Sequence, residues 1–234
     1  MTESRRVPVI AVVDPGGRVA ELDTLNVMSA LSPLPVSYHL PALFGMESLN
    51  QPELSTPAGL VILGSSASVT DGLPWQNSMN NWLKQKIEAD VPTLGLCYGH
   101  QLIAHLYGAA CTPAHKNGDK FRGFRNVRLT ADRLWGEACA GPLVVSHKDM
   151  VGNCPAGFRI IAASDEVPIE GLAHLNRPVW SFQSHPEATP AFLINNGIPP
   201  ARDSGDFDFG LGLVRQFLRF VAGRATPGDG PVRK

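Results

Sequence analysis

A short apolar run passes directly into an amphipathic stretch in PTLGLCYGHQLIAHLY, residues 92–107. The pattern predicts a buried strand over residues 93–96 and a helix over residues 98–107, so Cys97 falls at their junction. Gly95-Leu96-Cys97-Tyr98-Gly99 has the G-x-nucleophile-x-G form of a strand-to-helix elbow, which raises its central side chain above a sheet. Backbone dipoles at a helix N-terminus stabilise a thiolate. Cys97 is therefore the candidate nucleophile.

The regions on either side of this stretch predict an α/β fold. Before it, short apolar runs alternate with amphipathic stretches, which is typical of a parallel sheet flanked by helices. After it, strand-like runs follow one another with few helices between them, and we expect antiparallel additions to the sheet. The predicted strands are residues 7–13, 36–40, 59–63, 123–130, 142–146, 158–163 and 179–182, and the further predicted helices are residues 18–31, 75–89 and 208–222. We expect one domain over residues 1–223 and a flexible C-terminal tail over residues 224–234.

The composition excludes several classes of function. The 234 residues carry a formal net charge of -1 and are 44% hydrophobic and 18% charged, which excludes a disordered chain. That balance creates no field that would attract nucleic acid or an anionic membrane, and no run approaches the roughly 20 apolar residues of a membrane span. We expect a cytoplasmic protein without nucleic-acid or membrane partners. The four cysteines lie too far apart for a CxxC motif, so we expect no metal site.

A thiolate nucleophile needs a base and a group that orients the base. In His185-Pro186-Glu187 the proline favours an extended conformation at His185, and residues two apart in an extended segment project to the same side. The imidazole and the carboxylate can therefore face one another. His100 and His105 are weaker candidates, because a base inside the helix that follows Cys97 would have to bend back over the elbow.

Four motifs together resemble the class I, or triad, glutamine amidotransferase family, and within it the glutaminase domain of GMP synthase and its stand-alone relatives. Gly95-Leu96-Cys97-Tyr98-Gly99-His100-Gln101 and Gln183-Ser184-His185-Pro186-Glu187 resemble the two catalytic motifs. The stretch VSHKDMV, residues 145–151, resembles a Ser-His-Gly-Asp segment, and ILGSSASV, residues 62–69, resembles a Gly-Gly-Pro loop. Four motifs in the family's order form a specific signal, whereas each one alone is weak.

The resemblance implies a flavodoxin-like three-layer core and a cysteine-dependent amidohydrolase. In this interpretation Cys97 attacks the side-chain amide of L-glutamine, His185 acts as general acid and base, and Glu187 orients His185. Water then hydrolyses the glutamyl thioester, releasing glutamate and ammonia. No metal or organic cofactor is expected, because thiolate, imidazole and backbone donors supply every step.

The resemblance also implies an oxyanion hole formed by the backbone N–H of Tyr98 and an N–H from the Gly64-Ser65 loop. Ser65 departs from the family pattern, which usually has glycine at this position. A residue with a Cβ adopts positive φ less readily, so the loop can have a different backbone conformation here. Lys148 and Ser184 also depart from the family pattern, so the shape of the pocket need not match that of GMP synthase.

Three residues are carried over as glutamine contacts from the resemblance alone, namely Gln101, Ser146 and His147. A helix surface residue and a capped strand end are the plainer interpretations of these positions.

Three functions remain open from the sequence. The first is a stand-alone glutaminase that passes ammonia to a separate synthetase or ligase. The second is a γ-glutamyl hydrolase or transferase that acts on γ-glutamyl peptides or amines. The third is a non-catalytic regulatory subunit that binds glutamine.

A basic stretch with interleaved aromatic residues lies over residues 116–128. On a basic protein it would indicate RNA binding, but this chain is not basic overall. We predict a solvated strand pair, with docking of an acidic partner face as the second interpretation. The residues concerned are Lys116, Lys120, Phe121, Arg122, Phe124, Arg125 and Arg128.

Overall fold

A mixed β-sheet with helices against both faces forms the centre of the fold in this computed structural model, which describes residues 7–115 and 117–225. The strands in these ranges are β1 Ile10–Val13, β2 Val36–His39, β3 Gly59–Ile62, β4 Thr93–Leu96, β5 Cys111–Pro113, β6 Phe121–Leu129, β7 Cys139–His147, β8 Asp149–Val151, β9 Phe158–Ala163, β10 Gly171–His174 and β11 Val179–Phe182. The α-helices are α1 Leu22–Leu31, α2 Pro41–Phe44, α3 Pro74–Glu88, α4 Tyr98–Leu106, α5 Pro190–Asn195 and α6 Asp208–Ala225.

The main sheet has the strand order β2-β1-β3-β4-β11-β10-β9-β6-β7 across the described residues. Its first five strands pair in parallel, and β11, β10, β9, β6 and β7 then pair in antiparallel fashion. The predicted α/β class, the parallel first half and the antiparallel additions are therefore confirmed. Strands β5 and β8 form a separate two-stranded sheet.

The two faces of the sheet carry separate apolar layers, because successive side chains of a strand point to opposite faces. On β1, Ile10 and Val12 belong to a layer with α1 and α6, while Ala11 and Val13 belong to a layer with α3 and α4. Each layer is built from the side chains of the strands and from the apolar faces of the helices that pack on them. This sandwich fixes the carboxyl ends of the parallel strands at one edge, where the site lies.

Four predicted element boundaries are wrong by three or more residues, among them the starts of β1, which is Ile10 instead of residue 7, and of β7, which is Cys139 instead of residue 142. Helix α1 begins at Leu22 instead of residue 18, because the buried Asp14 carboxylate accepts hydrogen bonds from the N–H groups of Gly16 and Glu21 and holds this segment as a loop. Helix α6 continues to Ala225, so the first two residues of the predicted tail are helical. Residues 226–234 of that tail lie outside the described residues.

Residues 121–128 of the basic stretch lie in β6, but they are not solvated throughout. Arg122 and Arg128 are exposed, whereas Arg125 is only 6% exposed. Arg125 Nη1 donates to Glu170 Oε1 at 2.7 Å, and the Glu170 side chain is fully buried. The prediction of a solvated pair is wrong at this position, because the sheet brings Glu170 from the loop before β10 against β6. Lys116 lies outside the described residues.

No helix in the part of the chain that the structure describes is long and apolar enough to cross a membrane.

Candidate active site

A cleft opens at the carboxyl ends of the parallel strands, which is where ligands bind in open α/β sheets. It has a volume of about 420 Å³, within the range of clefts that hold small molecules. Cys97 and His185 both border it, together with Glu187, Gly64 and Ser146. The fold therefore brings the predicted nucleophile and base, 88 positions apart in sequence, into one cleft.

Cys97 occupies a strained elbow between β4 and α4. Its backbone has φ +51° and ψ −99°, a conformation that residues with a Cβ rarely adopt. The turn requires glycine at both flanks. A Cβ on Gly95 would lie 2.6 Å from the Gly99 carbonyl oxygen, and a Cβ on Gly99 would overlap the carbonyl oxygen of Ile62. The predicted nucleophile elbow is thus present, and its shape depends on the close approach of α4 to β3 and β4.

Replacing Gly99 with alanine is expected to destabilise the fold by about 1–3 kcal/mol, because the Cβ must displace backbone. Gly212, inside α6, is a matched control, because a Cβ added there would have no neighbouring atom within 4 Å. Alanine at this position should be neutral or stabilising, since glycine is a poor helix former. Urea unfolding of both variants measures the difference. Equal stabilities for the two variants would contradict this account of the elbow.

The sulfur of Cys97 is enclosed, and the residue is only 4% exposed. The Ser146 carbonyl oxygen and the Gln183 Nε2 each lie 3.9 Å from Sγ. Gln183 is fully buried at the end of β11, and its Oε1 also accepts from Gln101 Nε2 at 3.2 Å. Gln183 received no role from the sequence, although it stands in the same motif as His185. Its amide places a hydrogen-bond donor beside the thiolate.

His185 and Glu187 form a buried pair. His185 Nδ1 lies 2.8 Å from Glu187 Oε1, and both side chains are almost completely buried. His185 Nε2 is buried and makes no hydrogen bond to the described residues. Burial alone would lower the pKa of His185, but the negative charges of the Cys97 thiolate and the Glu187 carboxylate together raise that pKa to about 10. The charges around His185 therefore favour its imidazolium form.

One backbone contact and two contacts to the imidazole ring hold His185 in place. Its backbone N–H donates to the Val144 carbonyl at 2.7 Å, which attaches the segment to β7. The Phe192 ring packs against the imidazole with centroids 4.4 Å apart. A Cβ on Gly64 would lie 2.8 Å from His185 Cε1 and 3.6 Å from Cys97 Cβ, so this glycine lets the loop after β3 approach both residues.

The other two candidate bases do not reach the cleft. His100 is fully buried behind the elbow, its Nδ1 is 2.8 Å from Ser181 Oγ, and burial lowers its pKa to about 3. His105 lies in the last turn of α4 and does not line the cleft. His185 is thus the histidine of the described residues that borders the cleft with the nucleophile.

Of the predicted oxyanion donors, Gly64 and Ser65 line the cleft and Tyr98 does not. The N–H groups of Tyr98 and Ser65 donate to no acceptor within the described residues, as a free oxyanion hole requires. Ser65 does not have positive φ, so the Cβ causes no strain at this position. Its Oγ donates to the Pro15 carbonyl at 2.9 Å and accepts from the Ala67 N–H at 3.2 Å. The serine thus links this loop to the loop after β1.

The three residues carried over as glutamine contacts have different positions. Ser146 lines the cleft, and its Oγ donates to Asn196 Oδ1 at 3.3 Å. Gln101 does not line the cleft, and its Nε2 donates to the Asp149 carbonyl at 2.7 Å. His147 is buried, with Nδ1 donating to the same carbonyl at 3.0 Å. In this structure Gln101 and His147 hold the turn after β7.

A buried polar cluster behind the cleft had no counterpart among the sequence predictions. Arg125 Nη1 reaches both Glu170 and His147 Nε2, the latter at 3.3 Å, and Ser164 Oγ donates to Glu170 at 2.8 Å. Burial lowers the pKa of His147 to about 3, and Arg125 adds to that effect, so the imidazole is neutral. The alternation of charged and apolar residues along β6 gave no signal for this cluster, because its carboxylate lies 45 residues away.

No group of three or more His, Cys, Asp and Glu side chains suited to a metal ion occurs within residues 7–115 and 117–225.

A cysteine elbow that shares a cleft with a buried His–Glu pair, at the carboxyl edge of a parallel sheet, defines a triad site of the amidotransferase type. The family model described as "Glutamine amidotransferase class-I" matches residues 28–192. The chain belongs to this family.

Similar proteins agree with this assignment. The GMP synthase [glutamine-hydrolyzing] of Aliarcobacter butzleri is 34% identical over 137 residues, which cover 56% of this chain and 25% of that protein. The enzyme of the same name from Clostridium perfringens is 26% identical over 221 residues, which cover 92% of this chain and 37% of that protein. The chain thus spans well under half the length of these relatives. A glutamine amidotransferase crystal structure from Thermotoga maritima has the same fold, with a TM-score of 0.73, 18% identity and coverage of 92% of this chain and 98% of that one.

Proposed function

We propose that this chain hydrolyses the side-chain amide of L-glutamine through a covalent glutamyl thioester on Cys97. The observation that carries the proposal is the shared cleft, in which a strained cysteine and the buried His185–Glu187 pair both pack against Gly64. Membership of the class-I glutamine amidotransferase family supports the same substrate.

In the first half-reaction the Cys97 sulfur attacks the amide carbon of glutamine. The carbonyl oxygen becomes an oxyanion, which the N–H groups of Tyr98 and of Ser65 or Gly64 stabilise, and one such donor is typically worth about 3 kcal/mol of barrier. His185 donates its proton to the departing nitrogen, so the carbon–nitrogen bond breaks and ammonia leaves. Glu187 keeps the imidazole in position and stabilises its charged form.

In the second half-reaction a water molecule attacks the thioester. The now neutral His185 accepts the water proton, and the oxyanion forms again at the same donors. The carbon–sulfur bond breaks, glutamate leaves, and Cys97 returns to the thiolate paired with the imidazolium.

We also propose that the ammonia passes to a separate synthetase or ligase. The two relatives described above are named for a synthetase that hydrolyses glutamine, and this chain matches 25% and 37% of their lengths. The names of these relatives support a synthetase or ligase as the acceptor of the ammonia.

The test is an assay of glutamate and ammonia released from L-glutamine, run beside a labelling experiment with a diazoketone analogue of glutamine. Equimolar release of both products and one covalent adduct on Cys97 are expected. An enzyme that cleaves γ-glutamyl peptides or amines while leaving glutamine intact would support the γ-glutamyl hydrolase alternative. Binding of glutamine without any product would support the regulatory alternative.

The activity is expected to fall as the pH rises through about 10. The pKa of His185 is raised to about 10, so the imidazolium that protonates ammonia is present below that pH and lost above it. Replacing Glu187 with glutamine removes a negative charge that raises this pKa, so the alkaline limb should move to lower pH. Profiles of kcat/KM against pH measure the shift. Glu53 is exposed, and Glu53→Gln is the control, which should leave the alkaline limb of the profile where it is. An equal shift of this limb in Glu53→Gln, or no shift in Glu187→Gln, would contradict the role of His185 as the acid.

A further inference from the structure

A side chain of the loop after β3 attaches it to the loop after β1. Ser65 Oγ donates to the Pro15 carbonyl at 2.9 Å, across 50 positions of sequence, and accepts from the Ala67 N–H at 3.2 Å. A hydroxyl can donate and accept at once, so this one group both joins the two loops and closes a turn within its own loop. The position of the Ser65 backbone therefore depends on where the Pro15 carbonyl lies.

A buried carboxylate fixes the loop that carries Pro15. Asp14 is fully buried, and its carboxylate accepts from the Gly16 N–H at 2.7 Å and from the Glu21 N–H at 3.2 Å. The Tyr38 hydroxyl donates to the same carboxylate and accepts from the Glu21 N–H at 2.8 Å. Burial and the Asp14 carboxylate raise the pKa of Tyr38, so its hydroxyl keeps the proton that it donates. Hydrogen bonds to a carboxylate are stronger than neutral ones, so the Pro15 carbonyl is held firmly.

The attached loop carries one donor of the proposed oxyanion hole. Ser65 lines the cleft, and its N–H donates to no acceptor in the described part of the chain. The preceding Gly64 lies against the side chains of Cys97 and His185. A backbone donor accelerates a reaction only when it is held in place before the oxyanion forms. A contact that fixes this loop can therefore act on the rate without touching the substrate.

We propose that the Ser65 hydroxyl is a positioning group, which holds its own N–H at the oxyanion site through the loop after β1 and its Asp14–Tyr38 pair. The hydroxyl is engaged by Pro15 and Ala67, so it acts through the backbone and not by contact with glutamine. This inference rests on the proposed glutamine hydrolysis and adds the groups that set its rate. A loop that loses this attachment keeps the donor but no longer holds it in one orientation.

Removal of the hydroxyl is the first test. Ser65→Ala should lower kcat for glutamine by about 10- to 100-fold and leave KM within about threefold, because the oxyanion forms only after glutamine has bound. Ser65→Thr keeps a hydroxyl and should retain most of the activity. Ser66→Ala is the matched control, since Ser66 is the exposed neighbour in the same loop. A kcat in Ser65→Ala equal to that of Ser65→Thr or Ser66→Ala, or a rise in KM alone, would overturn the proposal.

A double-mutant cycle tests the connection to the loop after β1. Tyr38→Phe removes the hydroxyl that contacts Asp14, and it should lower kcat by about 5- to 10-fold, the range for one hydrogen bond. Because both substitutions loosen the same attachment, the double variant Tyr38→Phe/Ser65→Ala should lose no more activity than Ser65→Ala alone. Tyr107→Phe is the control and should keep the wild-type kcat, because the Tyr107 hydroxyl has no hydrogen-bond partner among the described residues. Losses that multiply in the double variant would show independent effects and overturn the connection.

Amide hydrogen exchange at Ala67, followed by NMR, separates this inference from the proposed reaction. Tyr38→Phe removes no group that the Ala67 N–H contacts, so faster exchange at Ala67 in this variant shows that the two loops are coupled. We expect that result, together with unchanged exchange at Ala67 in Tyr107→Phe.

The two measurements together distinguish the failures. If the wild type releases no glutamate while Tyr38→Phe speeds exchange at Ala67, hydrolysis fails and the attachment of the loop remains. If the wild type hydrolyses glutamine but exchange at Ala67 is the same in Tyr38→Phe, the inference fails alone. If neither glutamate release nor faster exchange is observed, both fail.

Discussion

Glutamate release by the Cys97→Ala variant is expected to be about 10⁴-fold or more below that of the wild type, because the variant retains the donors and the base but cannot form the thioester. Cys97→Ser should also lose most of the activity, since a hydroxyl is not ionised by a neighbouring imidazole as a thiol is. A colorimetric assay of ammonia over a range of glutamine concentrations measures both variants. Labelling by the diazoketone analogue should disappear in parallel with the activity.

The matched control is Cys139→Ala, which removes an exposed thiol far from the cleft. It should retain wild-type turnover and labelling. Circular dichroism of all three variants establishes that they are folded. Equal glutamate release by the wild type, Cys97→Ala and Cys97→Ser would exclude the thioester mechanism, whatever the labelling shows.

Replacing Arg125 with methionine is expected to lower the free energy of unfolding by about 3–5 kcal/mol, because Glu170 would keep a buried charge without its partner. Burial already raises the pKa of Glu170, against the opposing effect of Arg125. Removing the arginine therefore leaves a carboxylate that must either remain buried and charged or take up a proton. Urea unfolding at pH 7 measures the change. The turnover of glutamine should also fall, since Arg125 contacts His147, next to the wall of the cleft formed by Ser146.

Arg128→Met provides the comparison on the same strand. Its ion pair with Asp165 is exposed on both sides, so its loss should change stability by less than about 1 kcal/mol. The double variant Arg125→Met/Glu170→Met should recover much of the lost stability, because both charges leave the interior together. Equal effects of Arg125→Met and Arg128→Met would show that the buried pair is unimportant to the fold.

Local sequence patterns were sufficient to predict the parallel half of the sheet and the candidate catalytic residues. The runs at β1 and β3 are continuous and apolar, and turn residues bound them closely. Cys97 was identifiable because an elbow needs its two glycines within a few residues. His185 and Glu187 were predicted together from an extended spacing, and they do form a pair. The extended conformation itself is wrong, because Pro186 and Glu187 lie in a turn in which the Ala188 N–H donates to the His185 carbonyl at 3.1 Å.

Features that depend on distant pairing could not be predicted. Strands β5, β8 and β10 are three or four residues long, and each exists because a partner from elsewhere in the chain supplies its hydrogen bonds. Arg125 resembled a solvated residue of a basic strand, since nothing near it in sequence indicated the carboxylate of Glu170. The position of Lys120 and Arg122 in the cleft depends on the register between β6 and β7. No local pattern in a single sequence predicts the register between two strands.

The left-handed backbone of Cys97 has a consequence for how the protein can change over time. A glycine at this position would adopt φ +51° without the cost of about 1–3 kcal/mol that a side chain incurs there. The residue with the least backbone strain at this turn is thus glycine, which has no reactive side chain. Selection for stability alone would therefore favour loss of the cysteine. We expect a homologue that has glycine in place of the cysteine, with the neighbouring glycines kept, to have a higher free energy of unfolding than its active ancestor.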